Sequence, residues 1–258
     1  MLLKLDLNLE ICYNTRIVCV YRRILLMSTK IIMVRHGFSE ANLAKVFTGQ
    51  SNISLTDIGL EQARLCGEFF KAWMPCSAIG EERTEKIWDY GISGIDAIYA
   101  SDLKRAYDTA IPIAEALSLE IEKCPDFREI YAGEWEMMPF VEIDERYPLE
   151  YGIWKNDIGR ARCVGGESVA ELSRRVLDAI RNIAVRHDGG AVVIVTHATP
   201  IRAACAAAKG LDALDMGRES WVSNASVSIF EFDGTLKAIK TSIVSHLGSL
   251  KTDLPKNV

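Results

Sequence analysis

Residues 30–42 read KIIMVRHGFSEAN. Ile31 to Val34 form an apolar, largely branched run with the length of a buried strand. The run ends directly in Arg35 and His36, and Gly37 removes any side-chain obstruction after them. A permanent cation and a titratable ring at the end of a core strand call for a reason, and two other stretches share the feature. Ala97 to Ala100 (AIYA) is followed by Ser101-Asp102-Leu103-Lys104-Arg105, and Ala191 to Val195 (AVVIV) by Thr196-His197. Helical patterns follow each run, around Thr56 to Trp73, Leu103 to Leu117 and Pro200 to Lys209. This alternation predicts an α/β fold with a mainly parallel sheet and helices on both faces. Ligands of such sheets gather beyond the carboxyl ends of the strands, so Arg35, His36, Arg105 and His197 converge on one rim.

The helix signals agree with that plan. Thr56 is placed to cap a helix with Leu65, Phe69 and Trp73 at one-turn spacing. Ser168-x-x-Glu171 reads as a capping box opening a helix with Val169, Leu172, Val176, Ile180 and Ile183 inward, ended by His187 and Gly189. Thr199-Pro200 reads as a cap and a first-turn proline, and Gly210 suits the far end of that helix. Ser226 to Phe232 and Leu236 to Ile243, split by Asp233-Gly234, read as a hairpin or edge pair. Tyr131 to Arg162, with Pro139, Pro148 and several aromatics, reads as irregular chain forming a lid or wall over a site.

The chain has 258 residues, 49% of them apolar, and no repeat, low-complexity tract or linker, which favours one sizeable domain. Its formal net charge of −5 argues against a general binder of nucleic acid or of an anionic membrane, while leaving room for a local cationic pocket. Seven cysteines without C-x-x-C spacing fit core packing in a reducing compartment better than a disulfide scaffold or a zinc site. Charged residues interrupt every apolar run in residues 1–26, leaving nothing near the roughly 18 residues of a spanning helix and no clean signal peptide. A cytoplasmic protein is expected. Residues 1–27 are read as an N-terminal extension, with Met27 as a candidate natural start, and 28–258 as a single catalytic domain. Oligomeric state is left open.

Arginine offers planar, permanently charged donors that match phosphate oxygens, and helix starts after Ser101 and Thr199 add backbone N–H groups. The rim is therefore suited to an oxyanion. A histidine there has two possible roles: to donate a hydrogen bond to the anion, or to attack phosphorus and carry the phosphoryl group. Arg35, Arg105 and one histidine supply the neutralisation that phosphoryl transfer needs, without a metal. No H-x-H or H-E-x-x-H spacing suggests a metal site. His187 and His246 are read as a helix-end residue and a C-terminal packing residue.

These blocks together resemble the histidine phosphatase superfamily, the phosphoglycerate-mutase-like proteins. VRHGFSEANLAKVFTGQSNISLTDIGLEQA is similar to the family's opening signature, YASDLKRAYDTAIPIA to its second arginine block, and FREIYAGEWE to its acid block. GGESVAEL and VIVTHATPIRA are similar to its closing blocks, and SNASVSIFEFDG and the late SHL also fit. The likeness runs from Lys30 to about Leu250. It implies a three-layer α/β/α sandwich and a metal-independent, cofactor-free enzyme acting on a small phosphorylated substrate. It implies that His36 is the nucleophile, that Arg35, Arg105 and His197 bind the phosphoryl group, and that Asn42 and the backbone near Gly49 assist. Glu129 is implied as proton donor to the leaving alcohol and then base for water. A carboxyl beside bound phosphate feels like charge, which favours its protonated form. Glu134 and Glu136 are rivals by position alone, and both are otherwise read as exposed loop acids.

The sequence departs from the family pattern at Phe38, at Ala198, and at Met137 in WEMM, where a glycine is common after the Trp-Glu pair. Phe38 and Met137 are expected at the pocket edge, and Ala198 where close backbone approach is customary. The connection from Glu129 to Gly166 is short, whereas cofactor-dependent mutases of the family carry a long insertion there. A short cover admits water, so the resemblance favours a phosphomonoesterase over a mutase-type phosphoryl transfer. The remaining alternative, a non-catalytic phospho-ligand binding protein, has no use for both a nucleophile and a proton donor.

Overall fold

The structure, a computed structural model, describes residues 27–72 and 90–252. Six strands form one sheet: β1 (Thr29–Arg35), β2 (Ala97–Ala100), β3 (Ile121–Lys123), β4 (Ala191–Thr196), β5 (Val227–Phe232) and β6 (Leu236–Ile243), in the order β3-β2-β4-β1-β5-β6. β1, β2, β3 and β4 run parallel, and β5 and β6 add an antiparallel edge. The sheet is thus mixed and mainly parallel, and Asp233-Gly234 makes the hairpin turn expected between β5 and β6.

Helices cover both faces, which is why Ile31 to Val34 in β1 and Ala191 to Val195 in β4 are uninterrupted apolar runs rather than alternating ones. Ile32, Val34, Ile98, Val193 and Val195 point to a layer that includes α2 (Asp57–Lys71) and α3 (Lys104–Leu117). Ile31, Met33, Tyr99, Val192 and Ile194 point the other way, to α6 (Val169–Arg186) and α7 (Ala198–Ala208). Successive side chains along a strand alternate faces, so one four-residue run serves both cores. Among the described residues, three shorter helices complete the set: α1 (Glu40–Ala44), α4 (Phe140–Arg146) and α5 (Pro148–Asn156).

The caps follow the sequence closely at α2 and α6. Thr56 accepts from Gly59 N, and Ser168 and Glu171 form the reciprocal capping box, a device worth about 1 kcal/mol. All five inward positions expected for α6 are buried, His187 is its C-cap, and Gly189 follows at φ +79°. In α2 the buried stripe is instead Gln62, Ala63, Cys66, Gly67 and Phe70, with Leu65 and Phe69 half-buried beside it. The reason is close packing on α3: a Cβ on Gly67 would meet the Pro112 carbonyl oxygen at 2.6 Å. Trp73 and residues 1–26 lie outside the described residues.

Residues 131–162 are more regular than their composition suggests. Pro139 is the N-cap of α4 and Pro148 the first residue of α5. Both prolines start helices, where a missing N–H costs nothing, instead of breaking them. β3 escaped notice because it has three residues, two of them charged and exposed. Among the described residues, no helix is long and apolar enough to cross a membrane.

Candidate active site

Register brings the three strand ends together. Arg35 pairs with Thr196 and Ala100 with Val195, and the ladder runs one residue further on each side of β4, with His36 N donating to Thr196 O (2.9 Å) and Ser101 N to Val195 O (2.9 Å). His36, Ser101 and His197 therefore leave the sheet side by side. The His36 and His197 rings lie 5.1 Å apart between centroids, tilted by 59°. Beyond His36 the chain turns against α2, where a Cβ on Gly37 would meet the Gly59 carbonyl oxygen at 2.5 Å and one on Gly59 would meet the Phe38 oxygen at 2.1 Å. Glycine at both positions is what lets the turn that carries His36 sit this close to the helix start.

The hydrogen bonds fix the imidazoles. His36 Nδ1 lies 2.7 Å from Gly37 O, and a carbonyl only accepts, so Nδ1 carries the proton and Nε2 keeps its lone pair. Ser101 Oγ accepts from Leu103 N and lies 2.8 Å from His197 Nε2, so the Ser101 hydroxyl can donate to that nitrogen. This tautomer puts the His197 proton on Nδ1, which is buried without a partner. Both histidines are held well below the ordinary imidazole range, by burial first and then by the Arg105 charge. They are neutral at neutral pH, the state a nucleophilic nitrogen needs.

Arg35 and Arg105 are 4% and 1% exposed, and neither forms an ion pair within the chain among the described residues. Arg35 Nη1 donates to Val222 O (2.7 Å), and Arg105 Nη1 and Nη2 donate to Ser51 O (2.9 Å) and Gly49 O (2.8 Å). The Nε of each is buried and unpartnered. Burial lowers both guanidinium groups to about 10, so they remain charged at neutral pH. Two buried cations bonded only to carbonyls are costly unless an anion completes them.

The loop that receives Arg105 is organised by Glu136. Its carboxylate accepts from Gln50 N (2.7 Å), Ser51 N (2.7 Å), Ser51 Oγ (2.5 Å) and Ala132 N (3.1 Å). A Cβ on Gly49, at φ +52°, would fall 2.0 Å from Glu136 Oε1. Glu136 is therefore a half-buried loop organiser, which corrects its reading as an exposed acid; Glu134 is exposed and accepts from Tyr147 Oη at 2.6 Å.

His36, Asn42, Gly49, Arg105 and Glu129 all line one cleft, to which Val46, Phe47, Phe140, Trp154 and Trp221 contribute apolar surface. Arg35 and His197 are buried beside His36, off that lining. The expected residues are thus brought together. Glu129 accepts from Ile130 N (2.8 Å) and from Thr199 N (3.3 Å), the latter at the start of α7. That contact explains a correction: α7 begins at Ala198 with His197 as N-cap, so Thr199 is a first-turn residue whose N–H goes to Glu129. Phe38 and Met137 are not among the lining residues, whereas Ala198 is. Phe140 of α4 and Trp154 of α5 bring residues 131–162 into the lining, as a wall would.

Sequence reasoning gave no role to Asn224, whose Nδ2 reaches His36 O (3.1 Å), Gly37 O (3.3 Å) and Asn42 Oδ1 (3.2 Å). Asn42 Oδ1 also accepts from Ser39 N and Oγ, so three segments meet at this amide. The signal was the SNAS motif, visible in the sequence but without a chemistry of its own. His187 bonds Tyr99 Oη at 2.8 Å and His246 stacks on Phe69 at 4.6 Å, both packing roles. Among the described residues, no group of three or more His, Cys, Asp or Glu is placed to hold a metal ion.

Comparison with known proteins fits this geometry. Phosphoserine phosphatase 1 of Hydrogenobacter thermophilus is 31% identical over 230 residues, covering 89% of this chain and 99% of the relative. A metal-independent phosphoserine phosphatase of Arabidopsis thaliana is 32% identical over 227 residues, 86% of this chain and 84% of the relative. The solved structure of Bacillus stearothermophilus YhfR superposes with a TM-score of 0.72 at 26% identity, over 85% of this chain and 99% of that one. The family model for the histidine phosphatase superfamily, branch 1, matches residues 31–80 and 74–244, and with the sheet order and the paired imidazoles in place, this chain belongs to that superfamily.

Proposed function

We propose that the chain is a metal-independent phosphomonoesterase that hydrolyses small phosphorylated metabolites through a phosphohistidine on His36. The observation that carries this reading is the pair of buried guanidinium groups, neither ion-paired among the described residues, around a neutral imidazole whose Nδ1 proton is already committed to Gly37 O. In the first step the Nε2 lone pair attacks phosphorus and the P–O bond to the alcohol breaks, while Glu129 gives its proton to the leaving oxygen. Arg35, Arg105 and His197 Nδ1–H hold the equatorial oxygens, with Asn42 and the Gly49 turn at the edge. Water then attacks phosphorus, its proton passes to the Glu129 carboxylate, and the N–P electron pair returns to His36 as phosphate leaves. The buried or half-buried free thiols Cys66, Cys124, Cys163 and Cys205 support a cytoplasmic setting.

The test is hydrolysis of a panel of phosphate monoesters, with phosphoserine prominent because two relatives are named for it, in the presence of chelator and beside His36→Ala. Turnover by the native chain and its loss in His36→Ala are expected. Activity that needs added metal, or survives in the variant, would overturn the mechanism. Isomerisation of 3-phosphoglycerate outpacing phosphate release would make the chain a mutase, and absence of any turnover a phospho-ligand binder.

A further inference from the structure

Glu129 stands on a segment with no regular secondary structure, between the short helical turn Pro125–Phe127 and the turn Gly133–Trp135. A proton donor on such a segment needs its backbone fixed from outside, since an error of about 1 Å can cost on the order of 100-fold in rate. The residue that fixes it is Arg175, on α6. All five of its N–H donors are used: Nε to Glu167 Oε1 (2.8 Å), Nη1 to Asp126 O (2.7 Å) and Arg128 O (2.8 Å), and Nη2 to Glu129 O (3.0 Å) and Glu167 Oε2 (2.9 Å). Glu167 extends the grip past the acid: its Oε2 accepts from Tyr131 N (3.2 Å), and its own N–H donates to Tyr131 O (2.8 Å). The backbone is therefore held at residues 126, 128, 129 and 131, on both sides of the carboxyl.

We infer that Arg175, locked by Glu167, is the positioning residue for the Glu129 proton donor. The inference rests on the proposed role of Glu129 and gives the GGES block a task in the reaction. The pairing is half-buried on both sides, with side-chain exposures of 20% and 15%, and Gln50 Nε2 adds a second bond to Glu129 O (3.1 Å). Lysine cannot substitute, because a single ammonium lacks the planar five-donor fork that meets three carbonyls and a carboxylate together. It does keep the positive charge, which helps hold His197 neutral. Arg175→Lys therefore separates geometry from charge.

The readout is the ratio of kcat/KM for an alkyl phosphate to that for p-nitrophenyl phosphate. p-Nitrophenolate leaves without a proton, and kcat/KM covers only the steps up to departure of the leaving group, so in this ratio the donor role of Glu129 counts for the alkyl ester and the later, shared water step does not enter. Measuring both esters on one preparation cancels any loss of folded protein. Arg175→Lys is expected to lower the ratio by about 10- to 100-fold. Glu167→Gln, which sets an amide N–H2 against the guanidinium, is expected to shift it in the same direction by less. An unchanged ratio in both variants would overturn the positioning role and leave Arg175 a stability residue. Glu129→Gln is measured in parallel: a lowered ratio there with none in the other two overturns only the clamp, whereas an unchanged ratio in Glu129→Gln overturns the proton-donor reading and the clamp with it.

Discussion

His36 and Glu129 face the same cleft, but they are held there by different physics. His36 stands one residue beyond β1, where the parallel ladder to β4 is still making hydrogen bonds, so the sheet that forms the core also aims the ring. Glu129 stands on a loop aimed by groups that arrive from elsewhere: the Gln50 side chain, the Thr199 backbone N–H, and the Arg175-Glu167 pair. Chemistry placed at a strand end inherits the rigidity of the sheet, whereas chemistry placed on a loop needs a separate set of bonds. The two halves should therefore fail differently when they are damaged.

The largest expected effect is at the strand-end half. Arg105→Ala removes a buried cation and the donors that hold the Gly49 and Ser51 carbonyls, and it should lower kcat/KM on the order of 100- to 1,000-fold for every ester tested. The loss should not depend on the leaving group, because the phosphoryl oxygens are common to all substrates. Glu129→Gln should instead cost about 100-fold on alkyl esters and little on p-nitrophenyl phosphate. A plot of rate against leaving-group acidity for the two variants checks the contrast directly. Parallel plots would erase the distinction between the halves.

How much of this was legible in the sequence follows the same division. The strand ends were readable because a buried parallel strand is an uninterrupted apolar run, and an Arg or His directly after it is conspicuous. Arg35, His36 and His197 came from that signal, Arg105, five residues past β2, gained weight only from their company, and the position of α6 came from an equally local signal, the Ser168 capping box. The supporting bonds were not readable. Asn224, Glu136 and Arg175 act on segments 182 to 188, 85 to 86 and 46 to 49 residues away, and nothing in a sequence ties an ordinary Asn, Glu or Arg to a carbonyl or amide that distant. Only likeness to a family block selected Glu129 over its neighbours. Prolines misled in 131–162 because the same residue that breaks a helix interior is favoured at its first turn.

The pH dependence of stability gives a smaller effect that sharpens the contrast between site and scaffold. Burial holds His36, His197 and His246 below the usual imidazole range, the last at about 4. An unfolded imidazole titrates near 6.5, so below that pH the unfolded chain binds protons that the folded chain refuses, and stability falls as the solution is acidified. It is fully retained above the unfolded value. His246 alone should contribute about 1.5 kcal/mol of loss between pH 6.5 and pH 5. Urea titrations across this range should show that slope, and bound phosphate should reduce the share due to His36 and His197 while leaving that of His246 unchanged. A flat profile would mean that these rings accept protons in the fold.

The smallest expected effect sits at Met137, where the family resemblance anticipates a glycine. Its φ is +60°, in the left-handed region that costs an ordinary side chain about 1 kcal/mol. The turn is held there because Met137 N donates to Phe47 O at 2.7 Å, which ties the acid block to the strand-like segment lining the cleft. The side chain gives little in return, being 41% exposed and absent from the cleft lining. Met137→Gly relieves the backbone but loosens the unfolded chain, a penalty of about 0.5–1 kcal/mol that offsets most of the gain. The net change in unfolding free energy should be stabilising and below about 1 kcal/mol, with kcat/KM unaltered for both alkyl and aryl esters. Clear destabilisation would show that the thioether, not the turn, holds this part of the wall in place.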